Sequence, residues 1–221
     1  MLALLHTSPV HVPVFDALRD AHHPGLALRH HVDEGLLDRA RREGPDAVVG
    51  AVRAVLEHAV AEGADAVLCT CSTLGGVAEP LAAGVGVPVL RVDRPMAAAA
   101  VAVGPAVAVV ASVASTLGPT VALVEEEAGR AGRRVDVRAV LVEDAWERFA
   151  AGDRDGYLRL VAAAVERVGT DGADVVVLAQ ASMADAATRA DVPVPVLSSP
   201  RPGLRAAAAV CGFPRPDPGT A

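Results

Sequence analysis

The sequence predicts an α/β protein of two pseudo-symmetric lobes with largely parallel sheets and a cleft between them. Three observations carry that expectation. First, short apolar runs such as Ala66–Leu68 are bounded by Gly-Ala-Asp turns, the pattern of a fully buried parallel strand. Second, such runs alternate with longer helical patterns, as in βαβ units. Third, the chain repeats itself. Gly63-Ala64-Asp65 recurs as Gly172-Ala173-Asp174, an offset of 109 (172 against 63), which also lays Asp46 over Asp155 and Cys71 over Gln180. Val87-Pro-Val-Leu90 recurs as Val194-Pro-Val-Leu197, and Arg94-Pro95 as Arg201-Pro202, at 107 (194 against 87). Each half is too long for a solenoid repeat, so it reads as a duplicated lobe.

Taken in order, Leu2–Leu5 reads as a first strand ending at His6-Thr7-Ser8-Pro9. A helix follows over Val14–Ala21, then a strand over Leu26–Arg29 closing with His30-His31-Val32-Asp33-Glu34. Pro45–Glu62 reads as one long amphipathic helix, with Pro45 in its favoured first turn. The strand at Ala66 leads into Cys71-Ser72-Thr73 and a helical pattern over Leu74–Leu81. Val87–Leu90 is a fourth strand, and Arg94-Pro95 opens an Ala-rich helix. The second half follows suit: strand Val107–Val110, helix Thr116–Ala131, strand Val135–Val142, helix Arg154–Gly169 and a buried strand within Gly172–Ala181. Strand Val194–Leu197 and a final helix from Arg201 complete it. The lobes are expected over residues 1–96 and 97–202, with segment 203–221 returning to the first.

Composition narrows the function. The 221 residues are 52% hydrophobic but 2% aromatic, so the core must be Val, Leu and Ala. Net charge is -7, and no basic cluster interleaves with aromatics, which disfavours nucleic-acid binding. No signal peptide is visible, and Gly104-Pro105 divides the apolar tract 97–111 into pieces too short to span a bilayer. A soluble, cytoplasmic protein is expected, its three cysteines free thiols. The sequence does not define an oligomer, and a homo-oligomer is compatible with it.

Cys71 sits where a strand hands over to a helix. Ligands bind at that edge of open α/β sheets, and helix N-terminal amides favour anions and thiolates. Cys71 is therefore the candidate nucleophile or base, with Ser72 and Thr73 as candidate substrate-binding groups. Cys69, two residues earlier, lies deeper in the sheet and is assigned to packing, as is Cys211. His6 ends the first strand at the same sheet edge, beside Thr7 and Ser8; it is either a proton carrier or a hydrogen-bonded loop residue. No metal site is expected: His22-His23 and His30-His31 are adjacent pairs that rarely converge on one ion, and no His-Glu-x-x-His occurs. Gly84-Val-Gly86 precedes a strand, which removes it as a nucleotide fingerprint. Asp33, Glu34, Glu143 and Asp144 close equivalent strands as polar lining or solvated caps. Arg94 and Arg201 read as symmetric helix starts.

The Cys71-Ser72-Thr73 turn, the duplicated strands and the Val-Pro-Val-Leu strand after each motif together resemble the aspartate/glutamate/hydantoin racemase superfamily. The resemblance covers nearly the whole chain. It implies a cofactor-independent enzyme acting on a small carboxylate or amino acid at its α-carbon, between two α/β lobes. In that family each lobe supplies one thiol. Here the second motif reads Leu178-Ala179-Gln180-Ala181-Ser182-Met183, so Gln180 stands where the second Cys would be. An amide is no general base near neutral pH. The resemblance therefore implies a single-cysteine isomerase, with catalytic Cys71 and His6. Its substrate-binding groups would be Thr7, Ser8, Ser72, Thr73, Ser112, Gln180, Ala181 and Ser182. A decarboxylase or cis-trans isomerase using one thiol, or a non-catalytic carboxylate-binding protein, are the alternatives.

Overall fold

The apolar runs become inner strands. A computed structural model of the chain describes residues 1–213, and in it β1 (Leu2–His6) and β3 (Ala66–Cys69) are buried at every position. They pair in parallel, Leu5 opposite Cys69. Outside them lie β2 (Leu28–Val32) and β4 (Val89–Arg91), giving the order β2-β1-β3-β4. A second all-parallel sheet, built from β5 (Ala106–Ala111), β6 (Asp136–Leu141), β7 (Val175–Leu178) and β8 (Val196–Ser198), has the equivalent order β6-β5-β7-β8.

The duplication extends to individual hydrogen bonds. Thr70 N–H donates to Leu5 O at 3.0 Å, and Ala179 N–H to Val110 O at 3.0 Å. Val67 N–H donates to Pro88 O and Val176 N–H to Pro195 O, both at 2.9 Å. The predicted α/β class, two four-stranded parallel sheets with surrounding helices, is what the chain forms.

The helices are α1 (Val12–His22), α2 (Glu34–Glu43), α3 (Val49–Ala61), α4 (Ser72–Ala78), α5 (Ala82–Val85), α6 (Arg94–Val103), α7 (Ala114–Arg130), α8 (Ala145–Ala150), α9 (Arg154–Thr170) and α10 (Pro200–Val210). The chain divides into one unit of Met1–Val92 with the segment from Pro200 on, and a second of Asp93–Ser199. In the first unit, Leu36 of α2, Val52 and Leu56 of α3 and Leu74 of α4 pack with Ala3, Leu5 and Cys69 on one face of the sheet. Phe15 of α1 and Leu204, Ala207 and Ala208 of α10 cover Leu2, Leu4 and Leu68 on the other. In the second unit, α9 packs on Ala108, Val110 and Val176, while α6 and α7 pack on Val107, Val109 and Val177. Each half of the sequence thus gives its last helix to the other unit: α6 follows β4 but belongs to unit 2, and α10 follows β8 but belongs to unit 1. Residues 214–221 of the C-terminal segment lie outside the described residues.

Several elements depart from the sequence reading. The helix expected over Pro45–Glu62 is a 3-10 turn, Pro45–Val48, followed by α3. The second strand begins at Leu28 and carries His30 and His31 within it, because β2 is an edge strand and is not marked by an apolar run. Leu26 instead packs in the core below it. Three helices were not anticipated, among them the four-residue α5, Ala82–Val85. The charged α2 buries only Leu36 and Ala40, and α8 spans six residues. Asp33 proves to be the N-cap of α2, accepting from Leu36 N–H at 3.2 Å. Among the described residues no helix is long and apolar enough to cross a membrane.

Candidate functional site

In unit 1 the candidate residues collect at the carboxyl ends of β1 and β3. Cys71 is the extended N-cap residue of α4, and its carbonyl accepts from Gly75 N–H at 2.8 Å. Its side chain is half-buried against the α3-side core, and its sulfur makes no hydrogen bond among the described residues. Ser72 follows, buried, with Thr73 partly exposed beside it. Cys69 is fully buried in the core and its thiol donates weakly to Cys71 O at 3.7 Å. Cys211 is half-buried, and burial raises its thiol pKa.

Sequence reasoning missed Arg91, the last residue of β4. It is buried, and its Nη2 donates to Ser72 O at 3.4 Å. Its side chain runs so close under α4 that a Cβ on Gly75 would lie 2.9 Å from Arg91 Cβ and 3.0 Å from its Nε. Gly75 is therefore required by the approach of a buried guanidinium to the thiol turn.

The structure does not bring His6 to Cys71. Strand pleating sends the two to opposite faces, and His6 lies on the α1 face, its ring 5.5 Å from that of Phe15. It is fully buried, with Nδ1 at 2.8 Å from Thr70 Oγ1 and Nε2 at 2.8 Å from His30 Nδ1; His30 Nε2 reaches Asp16 Oδ1 at 3.3 Å. The Thr70 hydroxyl donates to Leu5 O at 3.0 Å, so it must accept from His6 Nδ1–H. His6 Nε2 then accepts from His30 Nδ1–H. Burial first, then the neighbouring His30, His11 and His31, lower the His6 pKa to about 3. The expected proton carrier is a neutral, doubly engaged imidazole. Thr7 and Ser8 follow it, partly exposed, Ser8 preceding the 3-10 turn Pro9–His11.

In unit 2 the equivalent strand ends hold a different set. Gln180 Oε1 accepts from Ser112 N–H at 2.7 Å and from Ser112 Oγ–H at 3.0 Å. Ser112 Oγ also lies 3.4 Å from Tyr157 OH, which bonds Ser182 Oγ at 2.8 Å. Tyr157 was not foreseen. It is fully buried in α9, and burial raises its pKa despite bonds to Ser112 and Ser182 that lower it. The doubly bonded Oε1 fixes the amide orientation and leaves Nε2 as the group on offer, without a partner among the described residues. Ala181 opens the 3-10 run Ala181–Thr188, which replaces the α-helix found after β3. Arg94, expected as a helix start, is the first residue of α6 and binds Glu126 and Glu127.

A model of the Asp/Glu/Hydantoin racemase family matches residues 12–207. The chain belongs to the Asp/Glu/Hydantoin racemase family. Similar solved structures include the aspartate racemase of Picrophilus torridus, 13% identical with a TM-score of 0.70, which covers 97% of this chain and 95% of that one. The allantoin racemase of Pseudomonas fluorescens is 22% identical with a TM-score of 0.58, over 100% and 95% of the two chains. An arylmalonate decarboxylase is 19% identical with a TM-score of 0.62, over 99% and 96%. At these identities the likeness is one of fold. No curated protein matches the sequence. A racemase-family fold thus has both racemases and a decarboxylase among its structural neighbours.

Proposed function

We propose that this chain is a cofactor-independent enzyme acting at the carbon α to a carboxylate of a small substrate, with Cys71 as its single thiol base or nucleophile. The observation that carries this reading is Gln180. Its carbonyl is held by both Ser112 donors, so at the sequence position equivalent to Cys71 unit 2 offers an amide N–H and no thiol. Cys71 takes the α-proton as thiolate. In unit 1, Ser72 and Thr73 supply amides and hydroxyls for a carboxylate and Thr7 and Ser8 add hydroxyls; in unit 2, Ala181, Ser182 and Gln180 are the donors that the family resemblance implies for substrate. His6 acts by holding Thr70, not by carrying a proton.

Gln180 also favours a second reading. A decarboxylase or cis-trans isomerase needs only one sulfur: CO2 leaves, and the Cys71 thiol protonates the resulting carbanion on one face. The test is a panel of small dicarboxylates and amino acids incubated in D2O, with α-deuterium and CO2 measured together. Cys71→Ser should abolish both, and iodoacetamide should label Cys71 fastest. Gln180→Cys should raise racemisation within the roughly 10²–10⁴-fold range of acid–base assistance. Full turnover in Cys71→Ser, or neither deuterium uptake nor CO2 release from any panel member, would overturn the assignment, the latter leaving a carboxylate binder.

A further inference from the structure

Away from the strand-end residues, the edge strand of unit 1 and the end of α3 bring three ligand-type side chains together. His31 pairs with Leu5 in the sheet, and Leu5 belongs to the α3-side core, so the His31 ring faces α3. His58 and Glu62, one turn apart at the C-terminal end of α3, meet it there. His31 Nε2 lies 3.5 Å from Glu62 Oε2, and His58 Nε2 lies 3.8 Å from the same oxygen. The three ligand atoms all lie within 4.8 Å of one another, and the two rings meet edge to face at 5.7 Å.

These are not the distances of a finished hydrogen-bond network. His31 Nε2 and Glu62 Oε2 are both shut off from solvent, and neither has a hydrogen-bond partner. Leaving a buried polar atom unpaired costs about 1–3 kcal/mol, so two facing each other require an explanation. A bound cation satisfies both atoms at once. Bonds of ~2.0–2.2 Å in tetrahedral geometry set ligand atoms roughly 3.3–3.6 Å apart, close to two of the distances already present.

We propose that His31, His58 and Glu62 form a binding site for a divalent first-row transition-metal ion. The surroundings suit the role. Arg29 Nη1 donates to Glu62 Oε1 at 2.9 Å, orienting the carboxylate and leaving Oε2 for the ion. The guanidinium charge opposes a cation, while the negative end of the α3 dipole attracts one. A pocket of about 330 Å3, lined by His31, Val32, Asp33, Ala54, Val55 and His58, leaves room for a fourth ligand such as water. Two imidazoles and one carboxylate without a thiolate select zinc, nickel, cobalt or copper over magnesium and calcium. Such an ion would tie the edge strand β2 to α3.

The test uses the full chain, stripped with EDTA and titrated calorimetrically with Zn2+. One ion per chain is expected. His58→Ala, whose side chain is 65% exposed and expendable for folding, and Glu62→Gln should each weaken Zn2+ by more than the roughly 10–100-fold that loss of an outer-shell partner costs. Cys71→Ser should bind as the parent does. Co2+ should give the intense visible absorption of a tetrahedral site in the parent and lose it in His58→Ala. Unchanged affinity in both ligand variants, or binding that follows Cys71 or the His22-His23 pair, would overturn the proposal.

Discussion

Acidification offers the sharpest test of the buried His6 arrangement. The folded chain holds His6 at about 3, whereas an unfolded histidine titrates near 6.5. Between those values the unfolded chain binds a proton that the folded chain refuses. Stability therefore rises with pH across this window and is lost as pH falls from about 6.5 toward 3. Each pH unit is worth about 1.36 kcal/mol, so moving from neutrality to about pH 5 removes about 2 kcal/mol, and the full window about 5 kcal/mol. His6 is fully buried, so solvent screening does not dilute the effect. The assay compares urea-unfolding free energies of the parent and His6→Gln over a pH series. His6→Gln is less stable at neutral pH, but its acid limb should be flatter by about 2 kcal/mol near pH 5. His11 and His31, whose pKa values burial also lowers, contribute the slope that remains in both proteins. Parallel acid limbs, or a His6 imidazole resonance titrating near pH 6, would refute the burial argument and restore His6 as a proton carrier.

Two further substitutions probe the strand-end sets. Tyr157→Phe keeps the ring packing but removes the hydroxyl bonded to Ser182 and Ser112, so it should cost about 1–2 kcal/mol and lower Tm by a few degrees; a variant as stable as the parent would show that the hydroxyl network contributes nothing. Gly75→Ala places a Cβ 2.9 Å from Arg91 Cβ and should destabilise by about 1–3 kcal/mol despite the helix preference for Ala. Gly76→Ala, whose nearest neighbour is Arg91 Nη1 at 3.7 Å, should be neutral or stabilising by up to ~1 kcal/mol, and equal effects in thermal unfolding would remove Arg91 as the cause.

The legible parts of the chain were those dictated by burial. Inner strands such as β3 and β7 are apolar at every position, and the Gly-Ala-Asp turns before them recur at one offset, so strand identity and duplication could be read directly. Gln180 and Ser182 were legible for the same reason, since the offset lays them over Cys71 and Thr73, and Ser112 because it follows the apolar run of its strand. Tyr157 was not, because it reaches the site from the first turn of α9 across 45 residues of sequence, and one aromatic in a helical pattern reads as core. Arg91 was missed because the apolar run ends at Leu90, whereas the strand itself continues to Arg91. His6 was placed at the correct sheet edge, but its alternation against Cys71 depends on the strand continuing one residue past Leu5. His31, His58 and Glu62 come from an edge strand and a helix end 27 residues further on, a spacing that no local motif encodes.

The exchange of α6 and α10 between units sets an order of events during synthesis. Unit 2 is one uninterrupted stretch, Asp93–Ser199, and holds every helix that covers its sheet. Unit 1 is split: its sheet strands emerge early, but Leu204, Ala207 and Ala208, which cover Leu2, Leu4 and Leu68, are among the last core residues made. At roughly 5–20 residues per second, a ribosome takes on the order of 5–20 s to deliver the intervening segment. For that interval the nascent chain carries a Leu-rich sheet face covered by α1 but not by α10, while the later unit closes over its own. The half that bears the thiol is translated first and finished last, so its core closes only when the end of the chain has been made.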